Sequence, residues 1–125
     1  MLGINPDTPF KIHFQDNAIT MDGQIVNIDC TGNRVGCIGF GPKKVIVVVG
    51  ANKIVADAAE GIKRAKSVAP MNSKRIHHNN PCDETCRCED CTGEMRVCNV
   101  ISIIDGCYKF PGRISVVVVG EELGF

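Results

Sequence analysis

The sequence contains no tryptophan and a single tyrosine, and aromatic residues make up only 5% of its 125 residues. A core built around large rings is therefore excluded, and we expect one packed mainly from valine and isoleucine. No charge of one sign dominates, because fourteen basic residues balance fourteen acidic ones. This balance argues against a chain that its overall charge draws to nucleic acid or to an anionic membrane.

Long apolar runs are also missing, since none approaches the roughly 18 residues that a membrane span needs. The N-terminal residues lack a basic stretch followed by an apolar one, so they do not resemble a secretory signal. We therefore expect no membrane span and a cytoplasmic protein. The composition, 44% apolar and 22% charged, is typical of a folded domain and too apolar for a disordered chain.

The first part of the chain predicts a hairpin followed by a short helix. Two β-type runs, at residues 18–20 and 24–28, flank an Asp–Gly pair that favours a tight turn, and we assign Asp22 to that turn. Thr31 is placed to cap a helix over residues 33–40.

The middle of the chain predicts a strand and a longer helix. The unbroken β-branched run at residues 45–49 is typical of a strand covered on both faces in a parallel sheet. An amphipathic pattern predicts a helix over residues 54–69, with Asp57 on its exposed face and Pro70 as its end. Two further β-type runs follow, at residues 100–104 and 114–119. Together they predict a single α/β domain over residues 1–125, with a mostly parallel sheet and flanking helices.

Cysteine is the abundant residue: the chain has eight, and six of them lie between Cys82 and Cys107. Residues 81–98 read PCDETCRCEDCTGEMRVC, which we interpret as a cysteine-rich insertion. In a reducing compartment such clustering favours metal or redox chemistry over disulfides, and four thiolates suit either Zn²⁺ or an iron–sulfur cluster. Reduced structural thiols, or disulfides formed on oxidation, are the alternatives. His77 and His78 lie just upstream and could complete such a site.

Two turns followed by helices could hold a small anion. The first, Gly50 to Lys53, follows a predicted buried strand, where Asn52 adds an amide and Lys53 a positive charge. The second is residues 31–34, next to Asp29, which we expect to form a polar wall of the same pocket. Neither turn matches a named phosphate-binding motif, and no motif of a catalytic nucleophile or metalloprotease occurs, so no catalytic residue is predicted.

Four blocks of the sequence closely resemble the lactate-utilisation (LUD) domain family. They are NAITMDGQIVNIDCTGNRV (residues 17–35), GPKKVIVVVGANKIV (41–55), PCDETCRCEDC (81–91) and VVVVGEELGF (116–125). The resemblance implies a fold like that of NagB/ribose-5-phosphate isomerase/CoA-transferase proteins, in an incomplete or short version. It also implies a place in the oxidation of L-lactate to pyruvate, in which iron–sulfur proteins of bacterial operons act together.

The resemblance carries over to particular residues. Those that match the ligand-crevice positions of the blocks are Asn17, Asp29, Gly32, Asn33, Gly50, Asn52 and Lys53. The cysteines that match the recurring ones are Cys82, Cys88, Cys91 and Cys98, although Cys86 competes with Cys88 as a ligand. Family members carry a further N-terminal region before the first block, with strands of the same sheet. On that comparison we expect an exposed sheet edge, and a homo-oligomer or partner subunit that completes the sheet.

The leading hypothesis is a LUD-domain protein that serves as an accessory or electron-transfer component in the oxidation of lactate or a similar small organic acid. It would carry a cysteine-ligated iron–sulfur or other metal site, with zinc as the alternative metal. One rival is an enzyme of the isomerase or acyl-transfer type that uses the small-anion crevice. Another is a zinc-stabilised interaction module without chemistry of its own.

Overall fold

A computed structural model describes residues 11–13 and 18–125. The strands in this part of the chain are β1 (Lys11–His13), β2 (Ala18–Thr20), β3 (Ile25–Asp29), β4 (Val45–Gly50), β5 (Ile54–Val55), β6 (Val100–Ile104) and β7 (Ile114–Val119). The helices are α1 (Asn33–Gly39), α2 (Ala58–Arg75) and α3 (Pro81–Thr85), with a 3-10 turn at Ala51–Lys53. None of the helices described is long and apolar enough to cross a membrane.

The strands form two sheets, and the α/β class is confirmed. The order β1-β4-β7 makes a parallel three-stranded sheet, as the valine-rich runs predict. The other sheet, in the order β5-β2-β3-β6, is mixed: β2 runs parallel to β5, whereas β3 is antiparallel to both of its neighbours. The prediction of a mostly parallel sheet therefore holds for one sheet only, because a tight turn joins β2 to β3 and forces them antiparallel.

The hairpin is confirmed, with Ala18 opposite Val26 and Gly23 at a φ of 88° in the turn. The helix after it is also confirmed, but its predicted cap is wrong. The N-cap residue of α1 is Gly32, in a left-handed conformation and without a side-chain cap, so Thr31 does not cap the helix. The neighbouring strand provides the missing acceptor, as described below.

Helix α2 differs from its prediction at both ends. It begins at Ala58, because Asp57 is its N-cap and accepts a hydrogen bond from the Glu60 N–H at 2.9 Å. Asp57 is thus a cap and not part of an exposed helix face, and residues 54–55 pair with β2 instead. At the other end the helix continues through Pro70 to Arg75. Pro70 cannot donate to the preceding turn, but its ring is buried in the packed face of the helix.

The core is aliphatic, as the scarcity of aromatic residues predicts. Its centre consists of Ile19, Ile25, Ile38, Val45, Val47 and Val49. The alternate residues of β4, Ile46 and Val48, are half-buried, so this strand is covered more fully on one face than on the other. Strand β7 is less covered, since Val116, Val117 and Val118 are 37 to 50% exposed at the end of the parallel sheet.

Candidate functional site

Four cysteines line one small cavity, which we call the thiol cavity. They are the four singled out from the sequence, Cys82, Cys88, Cys91 and Cys98, and the cavity has a volume of about 20 Å³. Cys86 is not among the lining residues; it is the exposed C-cap of α3. The structure therefore places the four predicted cysteines around one cavity and leaves out their competitor.

Side-chain contacts hold the cysteine segment against α2. The buried Asn80 amide donates to Ser73 Oγ at 2.8 Å and so anchors the start of α3. Lys66 Nζ lies 2.7 Å from Asp90 Oδ1. The guanidinium of Arg96 joins the two ends of the loop at residues 91–98, since it donates to the carbonyl of Cys98 at 3.0 Å and to that of Cys91. These polar contacts replace the apolar anchors that the segment lacks.

Two of the four thiols, those of Cys82 and Cys98, lie in an environment that favours their neutral form. Burial, aided by the neighbouring Asp83 carboxylate, raises the pKa of Cys82. Burial also raises the pKa of Cys98, with the nearby Cys88 thiol acting in the same direction. A metal ion would have to displace these protons, because the thiolate is the ligand form.

The residues fit a metal centre in identity and number, and the cavity has room for about one water-sized body, as a single ion requires. Within the described residues, no three His, Cys, Asp or Glu side chains yet converge in a metal-binding arrangement. The thiols would have to turn toward a common point. Neither His77 nor His78 lines the thiol cavity.

A larger cavity adjoins the thiols, and we call it the Arg34 cavity. Its volume is about 240 Å³, and its polar lining includes Asp29, Asn33, Arg34, Asn72, His78 and Cys98. The first three come from the end of β3 and the start of α1, and Asn72 comes from the part of α2 beyond Pro70. Cys98 also lines the thiol cavity, so the two cavities share a wall.

Asp29 caps α1 from the adjacent strand. Its carboxylate accepts hydrogen bonds from the backbone N–H groups of Cys30 at 2.9 Å, Arg34 at 2.8 Å and Val35 at 3.3 Å. Burial on its own would raise the pKa of Asp29, but the Val35 and Arg34 N–H groups and the Arg34 guanidinium outweigh it, so the pKa is lowered. Arg34 Nε is 3.5 Å from Asp29 Oδ1, and its Nη2 donates to the Ile28 carbonyl at 2.9 Å. The charge of Asp29 is thus compensated within the wall of the cavity.

The other predicted anion site is filled by the chain itself. Asn52 Oδ1 accepts from the Leu123 N–H at 3.2 Å, and its Nδ2 donates to the Gly124 carbonyl at 3.3 Å. Gly50 lies so close to this segment that a Cβ there would stand 2.4 Å from the Leu123 nitrogen. Lys53 is buried at 4% exposure. This crevice is packed against residues 121–124.

The remaining predicted crevice residues differ in their position relative to the Arg34 cavity. Gly32 is the N-cap of α1, next to the Arg34 cavity, and Asn33 lines that cavity. Asn17 lies outside the described residues. The sequence missed Asn72, since a helix that ends at Pro70 places Asn72 in a loop. The only local signal for it was the run of helix-compatible residues between Pro70 and Arg75.

Comparison with known proteins gives one match. No curated protein and no solved structure matches the chain. The family model of the LUD domain matches residues 11–119 of the 125 residues, which include both cavities and all strands described above. The chain therefore belongs to the LUD-domain family, a family related to lactate utilisation.

Proposed function

We propose that this protein binds lactate or a similar small organic acid in the Arg34 cavity, beside a metal centre held by the four cysteines. In this proposal it is an accessory or electron-transfer component of the oxidation of that acid. The observation that carries it is the wall common to the two cavities, formed by Ala69, Val97 and Cys98. A bound acid and a bound metal would therefore be neighbours.

The lining of the Arg34 cavity suits a carboxylate. The Arg34 guanidinium, which is 3.5 Å from Asp29 and has its side chain 34% exposed, supplies charged donors, and the amides of Asn33 and Asn72 supply neutral donors. The carboxylate in the wall, Asp29, is already bonded to three backbone N–H groups. A volume of about 240 Å³ accommodates a three-carbon acid with room for water.

The metal decides which form of the function applies. An iron–sulfur or iron–thiolate centre would supply electron transfer next to the acid, whereas zinc has no redox chemistry and would only hold the segment together. The small volume of the thiol cavity favours a single ion over a cluster. Zinc is therefore the second candidate for the metal, after iron. An iron–sulfur cluster would require the exposed loop that carries Cys88 to open outward.

Anaerobic purification followed by a visible spectrum and metal analysis tests the centre. We expect stoichiometric metal in the native protein and its loss in the Cys88→Ser and Cys98→Ser variants. Cys86→Ser is the matched control, because it lies in the same segment but outside the thiol cavity. Colour with iron and acid-labile sulfide supports electron transfer, and colourless stoichiometric zinc supports the second candidate. No metal in the native protein, or equal loss in Cys86→Ser, contradicts the proposal.

Calorimetric titration with L-lactate and pyruvate tests the acid site separately. Asn72→Asp places a second carboxylate in the lining, and we expect it to weaken binding by about tenfold or more through charge repulsion. Asn79→Asp makes the same chemical change at an exposed residue, and we expect it to bind like the native protein. Absence of binding by the native, metal-loaded protein excludes the acid site.

We also propose that a second copy of the chain completes the parallel sheet along β7. This strand ends the sheet order, and its residues ISVVVV carry no charge, so that two antiparallel copies would meet without like-charge repulsion. Light scattering after gel filtration should give a dimer, and Val117→Lys should give a monomer. Ile103→Lys, on the edge strand of the other sheet, is the control and should remain dimeric.

A further inference from the structure

A third cavity, larger than the two above, lies at the end of the parallel sheet where β4 and β7 begin. Its volume is about 590 Å³, which is in the range of sites for small organic ligands. Two loops form it: residues 39–43, which lead from α1 into β4, and residues 109–113, which lead into β7. We call it the aromatic cavity, because Phe40 and Phe110 are in its lining. It has no lining residue in common with the thiol cavity or the Arg34 cavity.

The charges around the aromatic cavity have one sign. Among the residues that the structure describes, the charged ones in its lining are Lys43, Lys109 and Arg113, and none is a carboxylate. None of the three is in a salt bridge within the described part of the chain. Since the whole chain has a formal net charge of zero, this is a local concentration of positive charge. It favours an anionic ligand.

The aromatic rings favour a ligand that is also planar. Phe40 is 90% exposed and Phe110 is 61% exposed, so both rings are accessible to a ligand. The Lys109 ammonium lies over the Phe110 ring, 5.9 Å from its centre, which leaves the opposite face of the ring for stacking. A ring can stack on Phe110 while an attached anionic group reaches the lysines.

The two loops are held in place without a ligand. Arg113 donates to the carbonyls of Pro42 at 3.1 Å and Ile38 at 2.7 Å, and so clamps one loop to the other. Pro111 and Gly112 occupy the centre of a type II turn, closed by the Arg113 N–H on the Phe110 carbonyl at 3.1 Å, with Gly112 at a φ of 77°. The site is therefore preorganised, which reduces the entropy that binding costs.

We infer that the aromatic cavity is a binding site for a nucleoside phosphate: the base stacks on the phenylalanines and the phosphates pair with Lys43 and Lys109. The cavity is larger than a phosphate ion alone requires, and its rings would have no role with one. The inference is independent of the proposed function, because none of its residues belongs to the two cavities described above.

Calorimetric titration of the full-length chain with ADP tests this inference, with adenosine and pyrophosphate as the two halves of the ligand. We expect ADP to bind, and each half to bind more weakly than ADP by about tenfold or more. The double variant Lys43→Gln/Lys109→Gln should weaken ADP binding by about tenfold and leave adenosine binding unchanged. Phe110→Ala should weaken both. The control, Lys63→Gln/Lys74→Gln on the exposed face of α2, should bind ADP like the native chain.

Three outcomes overturn the inference. The first is no ADP binding at about 5 mM, a concentration that detects even weak sites. The second is an equal loss in the control pair, which means unspecific attraction by surface lysines. The third is binding of single-stranded oligonucleotides, but not of ADP, through the same lysines, which assigns the surface to nucleic acid. Circular dichroism of each variant confirms that it is folded, and all the substituted side chains are exposed.

Discussion

The carboxylate of Asp29 accepts a hydrogen bond from the backbone N–H of Arg34 at 2.8 Å, across the junction of β3 and α1. The N-cap residue of that helix, Gly32, has no side chain with which to do this. A strand residue thus provides the cap that the helix lacks, and it does so while only 4% exposed. The start of α1, one wall of the Arg34 cavity, depends on this contact.

Replacing Asp29 by Asn should lower the free energy of unfolding at pH 7 by about 1 to 2 kcal/mol, because a neutral amide is a weaker acceptor for the N–H groups. The pKa of Asp29 in the folded protein lies below its ordinary value of 3.8. The carboxylate therefore contributes stability above pH 3.8, and this contribution is lost as the pH falls through the folded pKa. Urea unfolding between pH 7 and pH 2 should show the difference between native protein and variant shrinking in acid. Asp22→Asn, at an exposed turn, should show no difference, and a gap for Asp29→Asn that does not narrow in acid would contradict the argument.

At Gly61, α2 packs tightly against β3. A Cβ at this position would stand 2.8 Å from Val26 Cγ2, and Val26 is completely buried. We expect Gly61→Ala to destabilise the protein by about 1 to 3 kcal/mol through overpacking, even though alanine is the better helix former.

The control for this substitution is Gly36→Ala in α1. Apart from the backbone of its own helix and its chain neighbours, no described atom lies within 4 Å of a Cβ added at Gly36, so helix propensity alone should act there. A gain in stability of about 0.5 to 1 kcal/mol is expected. Urea midpoints measured at constant slope give both values, and a stabilising Gly61→Ala would show that Val26 can move aside.

Ser73 and Asn80 form a buried side-chain pair, with Asn80 Nδ2 donating to Ser73 Oγ at 2.8 Å. Ser73→Ala leaves the Asn80 amide group without this partner, and we expect a loss of about 1 to 3 kcal/mol in stability. Ser67→Ala, on the exposed side of the same helix, removes only a bond to the Arg64 carbonyl and should change stability by less than about 0.5 kcal/mol. Equal effects of the two substitutions in thermal or urea unfolding would exclude a special role for the buried pair.

Asn52 holds the C-terminal residues against the carboxyl end of β4. Asn52→Ala removes its bonds to the Leu123 N–H and the Gly124 carbonyl, so hydrogen exchange at the Leu123 amide should speed up by about tenfold or more. The Thr20 amide, which donates to the Gln24 carbonyl at 2.9 Å in the hairpin, is the internal reference. Unchanged exchange at Leu123 would mean that other contacts hold this segment.

Local sequence patterns were sufficient to predict the elements that are specified by residues adjacent in the sequence. The Asp–Gly turn after Thr20 specifies the hairpin, and the valines of β4 specify a core strand of a parallel sheet. The clustering of cysteines indicated a site in this segment, and the resemblance to the LUD family selected the four that line the thiol cavity, although no pattern specified that it would be so small. In each case one short segment contains the whole signal.

Contacts between distant segments explain what the sequence could not show. Pro70 is a helix breaker by local rules, yet packing carries α2 past it, and only then does Asn72 reach the Arg34 cavity. Asn52 looked like an open anion site because its partner, Leu123, lies 71 positions away. Asp29 was predicted as a polar wall, and its role as the cap of α1 follows from the contact of its carboxylate with the Arg34 and Val35 N–H groups.

The valine-rich edge of β7 has a consequence for how the protein behaves in concentrated solution. A run of six uncharged, mostly β-branched residues without proline or glycine is the kind of segment that stacks into cross-β fibrils when it is left unpaired. Charged residues stand on both sides of the run: Arg113 immediately before it, and Glu121 and Glu122 shortly after it. In a stack of identical chains these like charges would lie one above another and repel. They therefore act as gatekeepers that protect the solubility of the chain, independently of any effect on its fold.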